Sequence, residues 1–581
     1  MIRENKVVPI TPKLFDILLL LVENSGSLIT KETLLEKIWP NAFVEEANLS
    51  VNVASLRKTL GNDHQYIETV PKGGYRFVAA VRRLQPNENI SSPPAAKLAK
   101  EKLANNVETA GQLKSLAILP FDNGSENPAA EYLSEGLTES IINNLSQLSA
   151  LRVVARNSVF RYKNSKLSAS AIARHLGVHL VVSGRILQLA DRIIIRTELV
   201  DMSSERQLWG GQFHRRLSDV LAVQQEISEE VSKALEFQLT REERNRLTKH
   251  YTDNSEAYHL YLKGRYHWNK FNQVGLRTAV EFFVQAIDID PTYALAYAGL
   301  ADCYYRMSNV YAPSSEAMPK AKASAIKALD IDPNLSEGHA ALGLAKLFYE
   351  LDWPGAESAF RRAIEINPQY STAHQRLGLY FSLLTRFEDA AREYELARQI
   401  DPLSQHLAYG LALMFFLARD YERALSEVQT TLEMDSNYVP TLYLLGRTYE
   451  QLGKIDQAVE VFEKILALND SAPTFLAALG HVHAISGKKH EAKRILEQLR
   501  ERARHSYVSS YCFAVIHLAL GDRDEALSCL ERAFEERSEM MTWLKIDPHL
   551  DEIRSYPRFR ELMHRAGLAE DYQAYEELIA S

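Results

Sequence analysis

The C-terminal half of this 581-residue chain repeats with a period close to 34 residues. Each copy ends in Asp or Asn, followed by proline in the first four copies, at positions 290, 332, 367, 401, 435 and 469. These Asp or Asn positions are 42, 35, 34, 34 and 34 residues apart along the chain. A fixed period of this length indicates two-helix units that bury their apolar faces only against their neighbours. We therefore predict an α-solenoid over residues 251–581.

Small residues recur at equivalent positions of these units, where two helices cross closely. Alanines occupy this position in the second helices, at Ala279, Ala356, Ala390, Ala424 and Ala458. The pattern resembles the tetratricopeptide repeat, and the resemblance implies a stacked surface for a protein or peptide partner. Extra sequence at 310–319 lengthens one unit, and residues 543–568 are predicted to close the array as a capping segment.

An amphipathic helix is predicted near the N-terminus, at residues 48–60. Leu49, Val53, Leu56 and Leu60 fall on one stripe at about 100° per residue, which is typical of a helix docked on a core. The opposite face carries small and amide side chains where charged ones are usual. Such a face suits close approach to another surface.

A β-hairpin is predicted directly after this helix. Its strands are residues 66–70 and 75–81, and Gly73 and Gly74 supply the positive φ angles that a tight turn needs. Positive charge lies on and after the hairpin, at Lys72, Arg76, Arg82 and Arg83.

Two further helices are predicted ahead of the amphipathic helix, at residues 13–23 and 31–39, with Thr30 capping the second. One short strand at 7–10 precedes them. No phosphoacceptor receiver domain fits ahead of residue 13, so control by aspartyl phosphorylation within this chain is not expected.

Three segments, SLITKETLLEKIWPN from Ser27, VEEANLSVNVASLRKTLG from Val44 and YIETVPKGGYRFVA from Tyr66, occur in this order. Together they resemble the winged-helix DNA-binding domain of the OmpR/PhoB type, in particular that of CadC-like transcriptional activators. The resemblance implies that helix 48–60 enters the major groove and that the hairpin is a wing over the adjacent minor groove. Members of this family carry more strands ahead of the first helix than this sequence supplies.

The resemblance also assigns DNA contacts. Base contacts are expected from Val51, Asn52, Ala54 and Ser55, and backbone contacts from Trp39, Asn48, Arg57, Lys58, Lys72, Tyr75 and Arg76. The chemistry agrees in part, since a valine contacts a thymine methyl, an asparagine pairs with adenine, and a serine serves either base edge. Related response regulators often carry arginines at positions 47, 54 and 55, where this chain has Ala, Ala and Ser. Reading of guanine by bidentate arginine is therefore not expected from these positions.

The segment between the two patterned regions divides into a linker and a small domain. Residues 84–113 are polar and rich in Pro, Ser, Ala and Lys, which is typical of a linker. Residues 114–250 alternate strand and helix signals in the order β-α-β-α-β-β-β-α, which predicts an α+β domain with its own core. Its second strand is predicted at 151–156 and its last helix at 218–239. Its segments LAILPFDN, LSEGLTESI, RVVARNS, LGVHLVVSGRI and RIIIRTELVD resemble the N-terminal domain of TolB.

Charge is distributed unevenly along the chain. The N-terminal region 1–83 has a net charge of +2, with 11 basic and 9 acidic residues, whereas 251–581 has −12, with 35 and 47. Few cations are thus available for DNA, so modest affinity for one copy is expected and a homodimer is one way to raise it.

Several function classes find no support in the sequence. It contains no GxxxxGK[ST], GxGxxG, GxSxG or HExxH motif and no zinc-type cysteine spacing, so no enzyme activity, metal or cofactor is expected. His175 with His179 and His481 with His483 are interpreted as packing or surface groups. The longest apolar run near the N-terminus, 17–22, is too short for a membrane helix or signal peptide, and a cytoplasmic protein without membrane contact is expected.

The sequence therefore predicts a multidomain, mostly α protein with a winged helix-turn-helix, a small α+β domain and a tetratricopeptide-repeat solenoid. Its predicted function is sequence-specific binding of double-stranded DNA in transcription regulation, with the repeats docking a protein or peptide partner. The alternative hypothesis is a repeat scaffold in which the winged helix is a protein-docking module.

Overall fold

The computed structural model describes residues 2–3, 6–7, 12–38, 49–50, 52–53, 56–57, 66–70, 73–78, 114–125, 130–237, 239–247, 249, 251–270, 272–308, 312–468 and 472–568. The chain forms two compact units, Met1–Gly111 and Gln112–Ser581. Among the described residues, no helix is both long enough and apolar enough to cross a membrane.

The first unit contains helices α1 (Pro12–Glu23) and α2 (Lys31–Ile38) and strands β1 (Ile2–Arg3), β2 (Lys6–Val7), β3 (Leu28–Thr30), β4 (Ile67–Val70) and β5 (Gly74–Phe77). Strand β5 pairs antiparallel with both β3 and β4. The predicted antiparallel hairpin is present, but the prediction that both of its glycines have positive φ angles is wrong, because only Gly74 does. Thr30 Oγ1 accepts a hydrogen bond from the Thr33 amide, so Thr30 caps α2. Strand β2 pairs antiparallel with β1 and overlaps the strand predicted at 7–10 at Val7, while residues 8–10 lie outside the described residues.

The predicted amphipathic helix, called here the recognition helix, is helical at its described residues 49–50, 52–53 and 56–57. Leu49, Val53 and Leu56 are fully buried and pack with apolar side chains of α1, α2 and β4. The described part of the predicted apolar stripe is therefore the inner face of the helix. Leu60 lies outside the described residues.

The second unit begins with an α/β layer. Its strands are β6 (Lys114–Ile118), β7 (Asp122–Asn123), β8 (Leu151–Val153), β9 (Leu180–Leu189), β10 (Arg192–Asp201) and β11 (Arg206–Arg216). Its helices are α3 (Glu131–Leu145), α4 (Arg156–Phe160), α5 (Ala169–Leu176), α6 (Val220–Ala234) and α7 (Arg241–Leu247). The described strands form one sheet in the order β11-β10-β9-β6-β8, with β7 on β9. Strand β6 runs parallel to β8 and β9, and β9, β10 and β11 form an antiparallel meander.

Two predicted elements of this layer end earlier than the sequence indicated. The strand predicted at 151–156 stops at Val153, because the Ala155 amide donates to the Ile400 carbonyl of the repeats, 3.1 Å away, instead of extending the ladder. The helix predicted at 218–239 stops at Ala234, and Glu236 follows with a φ of 56°. A non-glycine residue in that left-handed region cannot continue a right-handed helix.

The repeats follow as pairs of helices, which confirms the predicted solenoid. The first helices are α8 (Ser255–Trp268), α10 (Ala294–Met307), α12 (Ser336–Ala345), α14 (Ser371–Leu383), α16 (Gln405–Leu417), α18 (Val439–Gln451), α20 (Pro473–Ile485) and α22 (Ser510–Leu520). The second helices are α9 (Gln273–Ile289), α11 (Ser314–Ile331), α13 (Trp353–Ile366), α15 (Phe387–Ile400), α17 (Tyr421–Met434), α19 (Ile455–Ala467), α21 (Lys489–Ala503) and α23 (Arg523–Glu535). First helices of neighbouring repeats contact one another and form one continuous face, called here the first-helix face.

Close helix crossings explain the recurring small residues. The five alanines predicted to pack between helices are all fully buried. A Cβ added at Gly343 would lie 2.4 Å from Phe360 Cε1, and one at Gly446 would lie 2.6 Å from Phe462 Cε1. These distances are shorter than van der Waals contact, so an alanine at either site would push an aromatic ring out of the core.

A capping segment closes the array, as predicted. It consists of short helical turns at Glu539–Trp543 and Pro548–Ile553 followed by helix α24 (Pro557–Arg565). The indole Nε1 of Trp353 donates to the Ala566 carbonyl at 3.0 Å, so the segment reaches back to the beginning of α13. The cap thus folds onto repeats far from it in sequence.

Candidate functional site

Among the described residues, the side chain of Arg57 makes the most extensive polar contact between the recognition helix and the wing. Its Nε and Nη2 donate to the Ile67 carbonyl at 3.0 and 2.7 Å, and Nη2 also donates to Thr69 Oγ1 at 2.6 Å. Both acceptors belong to β4. Because a guanidinium holds its donors in a fixed fork, this contact sets the angle between the helix and the hairpin.

Tyr75 supports the same joint from β5. Its ring is 4% exposed, and its hydroxyl lies 3.3 Å from the hydroxyl of Ser50, an exposed residue of the recognition helix. The Arg57 guanidinium carbon lies 6.0 Å from the ring centroid. Only the hydroxyl end of Tyr75 is therefore placed near the helix surface.

Arg76 lies directly across the hairpin from Glu68, and its Nη1 is 3.6 Å from Glu68 Oε2. Both side chains are more than a third exposed, so the pair is a weak surface ion pair. A phosphate competing for Arg76 would displace a partner held by less than about 1 kcal/mol.

Close packing at the base of the wing requires a glycine. Gly74 has a φ of 146°, and a Cβ at this position would lie 2.0 Å from the Ile29 carbonyl oxygen of β3. Only a residue without a side chain fits between the strands here. This glycine therefore fixes where the wing leaves the sheet.

Of the predicted DNA contacts, Asn52, Arg57, Tyr75 and Arg76 fall on described residues. Asn52 is half-buried on the recognition helix. The other predicted contacts lie outside the described residues: Trp39, Asn48, Val51, Ala54, Ser55, Lys58 and Lys72. All of the assigned contacts stay predictions, and for Arg57 and Tyr75 the structure adds a second role in holding the helix against the wing.

The α/β layer and the first repeats share one hydrophobic core, which runs from Leu116 to Cys303. Polar contacts extend this joint. Asp401 accepts hydrogen bonds from the Ser158 amide and hydroxyl at 3.0 and 2.6 Å, and from Asn157 Nδ2 at 3.0 Å. Gln369 donates to the Leu148 and Leu151 carbonyls at 3.1 and 2.6 Å.

A buried ion cluster lies at the same joint. Glu139 of α3 accepts from Arg265 of α8 at 2.6 Å and pairs with Arg156 at 3.0 Å. Burial alone would raise the pKa of the Glu139 carboxyl, but the two arginines hold the pKa below its ordinary value. The α/β layer and the first repeats are therefore joined by a buried ionic contact as well as by a shared core.

A second buried polar cluster, called here the cap cluster, joins repeat helices α18, α20 and α22 to the capping segment. Asp547 of the cap accepts from Arg447 Nη2 at 2.8 Å and from the Tyr511 hydroxyl. Glu450 Oε1 lies 2.8 Å from His549 Nε2 and 3.4 Å from His481 Nδ1, and the two imidazole rings stack with centroids 3.8 Å apart. The cap thus occupies the first-helix face of the last repeats.

Sequence reasoning placed His481 correctly on a repeat helix but did not find the cap cluster. His481 lies 31 residues after Glu450, and His549 lies 68 residues after His481, so no local sequence spacing indicates the cluster. The available sequence signal was the pair His481 and His483 in an otherwise apolar segment, which is only a weak indication of a cluster.

The helix and wing of the first unit and the first-helix face of the second define the class of protein. It has a winged-helix DNA-binding domain of the transcription-regulator type and tetratricopeptide repeats. Residues 5–77 match the family model described as "Transcriptional regulatory protein, C terminal". Residues 112–230 match "HilA/YgeH-like transcriptional regulator, second domain". Residues 443–506 and 514–532 match tetratricopeptide-repeat models, and 385–465 match "Anaphase-promoting complex, cyclosome, subunit 3".

Among individual proteins, the chain is similar to "Transcriptional regulator HilA" of Salmonella typhimurium, with 27% identity over 353 residues, 59% of this chain and 58% of that protein. It is 34% identical over 235 residues to "Putative adenylate cyclase 3" of Rhizobium meliloti, covering 40% of each chain. Over 100 residues it is 28% identical to "Transcriptional activator CadC" of Escherichia coli, covering 16% of this chain and 20% of that one.

The chain thus spans 58% of the length of the HilA relative and 40% of the length of the adenylate cyclase relative. The predicted resemblance to OmpR/PhoB-type and CadC-like regulators and to tetratricopeptide repeats is confirmed by these matches. For residues 112–230 the match is to the second domain of HilA-like regulators, and the resemblance to TolB stays a prediction.

Proposed function

We propose that the protein is a sequence-specific DNA-binding transcriptional regulator whose second unit receives a protein or peptide signal. The observation that carries the proposal is the joint at Arg57, because it holds the recognition helix and the wing in one fixed geometry. A rigid helix-plus-wing surface is what simultaneous docking in two grooves requires. The proposed mechanism contains no catalytic step and places the protein in the cytoplasm, where the DNA is.

Base preference in this proposal comes from the recognition helix. Asn52 would pair with adenine N6 and N7, Val51 would contact a thymine methyl, Ala54 would allow close approach and Ser55 would serve either edge. Lys58, Lys72 and Arg76 would contact phosphates together with Trp39, Asn48, Arg57 and Tyr75. Because the net charge of residues 1–83 is only +2, we propose that two copies bind together to reach useful affinity.

The test is footprinting of genomic fragments with the full-length protein. Asn52→Ala is expected to relax preference at one base position at a cost of about 1–3 kcal/mol. Lys72→Ala is expected to weaken binding to all sequences and to reduce the salt slope by about one unit. Absence of protected sites, or identical salt dependence in both variants, would contradict the proposal and favour the scaffold alternative.

The proposed docking surface is the first-helix face of the earlier repeats, since the cap occupies the later ones. Trp268 lies between two guanidinium groups there, with the Cζ atoms of Arg265 and Arg306 at 4.4 and 4.6 Å from its ring. His406 and Tyr409 stack nearby, with centroids 6.3 Å apart. Aromatic and arginine side chains of this kind are enriched where proteins bind one another.

This part of the proposal is tested by proximity cross-linking of the full-length protein. A partner that docks on the first-helix face should be lost when Arg306→Ala and Tyr409→Ala are combined. The same partner should be retained by Arg494→Ala, which removes an exposed arginine from second helix α21. A partner lost equally from both variants would speak against this face.

A further inference from the structure

The cap cluster holds a set of side chains suited to a divalent transition metal. Glu450, His481 and His549 each offer a ligand atom, and these atoms lie within 4.8 Å of one another. Their side chains are 2%, 9% and 3% exposed. They come from three separate elements, α18, α20 and the capping segment, and converge on one point.

Hydrogen bonds among the described residues leave this set incomplete. Oε2 of Glu450 and Nδ1 of His481 are buried and make no hydrogen bond to a described group. Buried polar atoms without partners are uncommon in native proteins because each costs the free energy of its lost hydration. A cation held by His481 Nδ1 and by both oxygens of the Glu450 carboxylate would supply the missing partner for both atoms.

The distances agree with metal coordination. Zinc bonds imidazole nitrogen and carboxylate oxygen at about 2.0–2.2 Å, so two ligand atoms of a tetrahedral site are separated by about 3.3 Å. His481 Nδ1 lies 3.4 Å from Glu450 Oε1, and His549 Nε2 lies 2.8 Å from the same oxygen. An opening of about half an ångström at His549 would bring the set to coordination spacing.

Neighbouring charges do not oppose a cation here. Arg447 is the nearby positive group, and its guanidinium is paired with Asp547 at 2.8 Å. The same aspartate accepts from the Tyr511 hydroxyl, which keeps it turned toward Arg447. The negative charge of Glu450 is therefore available to an ion.

The geometry points to a structural zinc site formed by Glu450, His481 and His549, which fixes the capping segment to the last repeats. Two histidines and one carboxylate are a ligand set that zinc accepts, with a further position for water. Hard ions such as Mg²⁺ prefer all-oxygen sets and would not substitute. This site is independent of DNA binding and stands whether or not the protein regulates transcription.

The experiment measures zinc in the full-length protein purified without a histidine tag. About one zinc per chain is expected, together with a higher thermal unfolding midpoint when Zn²⁺ is returned to chelator-treated protein and no change with Mg²⁺. His481→Phe keeps the stacked ring but removes the nitrogen, and Glu450→Gln keeps the side-chain shape. Each should weaken zinc binding at least about tenfold.

The matched control is His490→Ala, which removes a histidine with a 93% exposed side chain from neighbouring helix α21. It should keep the zinc and the thermal response, and circular dichroism should show all three variants folded. Protein without zinc and without a thermal response to Zn²⁺ would overturn the assignment. Zinc retained equally by all variants would overturn it as well, because the ion would then bind elsewhere.

Discussion

The two units hold their parts together in different ways. In the winged-helix unit, the joint between the recognition helix and the wing rests on Arg57, a half-buried side chain that bonds to the hairpin backbone. In the second unit, the joint between the α/β layer and the repeats rests on a shared core and on several buried polar contacts. Among the described residues, the polar contacts of the first joint come mainly from Arg57, whereas those of the second are distributed over several residues.

This difference affects how mutations act. A joint that rests on many contacts keeps its geometry when a mutation removes one of them, unless the lost contact leaves a buried charge without a partner. A joint whose polar contacts come mainly from one side chain is expected to lose alignment when that side chain is changed, while the apolar core around it keeps the fold. Stability and DNA binding should therefore respond separately in the two units.

The largest effect is expected from Glu139→Ala in the distributed joint. The substitution leaves Arg265 buried without its carboxylate, while Arg156 keeps its pair with Glu135, and losing one partner of a buried ion pair costs about 3–5 kcal/mol. Thermal unfolding of the full-length protein should show the second unit melting earlier. Glu230→Ala, which breaks an exposed pair with Lys233, is the control and should change the midpoint little.

The next largest effect is expected from Gly74→Ala in the wing. The added methyl would collide with the Ile29 carbonyl, so the winged-helix unit should lose on the order of 2–3 kcal/mol. The neighbouring Gly73→Ala is the control, because its methyl would lie 3.2 Å from side-chain atoms of Leu28 and Val70 and 3.5 Å from the Val70 carbonyl oxygen, with no contact as short as that at Gly74. Equal midpoints for the two variants would show that the strand spacing at Gly74 is looser than described.

A smaller effect on stability, with a clear effect on DNA binding, is expected from Arg57→Lys. Lysine keeps the charge but cannot reproduce the forked bond to Ile67 and Thr69, so about 1–2 kcal/mol of stability should be lost. If Arg57 acts mainly by holding the helix, affinity falls while the salt slope of binding stays unchanged. Arg57→Gln, which also removes the charge, separates the two roles, because a salt slope smaller than that of Arg57→Lys would identify a direct phosphate contact.

The smallest effect is expected from Glu243→Gln at the edge of the second unit. Hydrogen bonds from the Ser149 hydroxyl and the Thr240 amide lower the pKa of Glu243 to about 2. Its folded pKa is thus below its ordinary value of 4.5, so its stabilisation is present above about pH 4.5 and is lost as pH falls toward 2. The variant should therefore show a weaker acid dependence of the unfolding midpoint between these pH values.

Much of this architecture follows from periodicity. The 34-residue period locates the repeats, and the stripe of Leu49, Val53 and Leu56 locates the inner face of the recognition helix, because burial of a regular element imposes its period on the sequence. The turn at Gly73 and Gly74 locates the wing for a similar reason. Each of these signals is local, and each was found.

Contacts between distant segments were not predictable in the same way. After the strand that ends at Val153, the Ala155 amide donates to the Ile400 carbonyl. The three candidate zinc ligands of the cap cluster lie on three separate elements. Nothing in the residues around Ala155 or His549 indicates their partners. Likewise, the sequence alone predicts that Arg57 contacts the DNA backbone. Its bond to the Ile67 carbonyl was not predictable, because that bond depends on how the helix meets the hairpin.

The shared core from Leu116 to Cys303 also determines how this chain can be divided and recombined. A chimera joined near residue 250 would expose apolar surface on both fragments, since Tyr258, Tyr261 and Phe283 of the first repeat pack beneath the sheet domain. The α/β layer serves as the solenoid's N-terminal end piece, taking the place that a polar terminal helix occupies in other repeat arrays. Exchange of the DNA-binding domain is therefore best made within residues 84–113, leaving residues 114–568 intact.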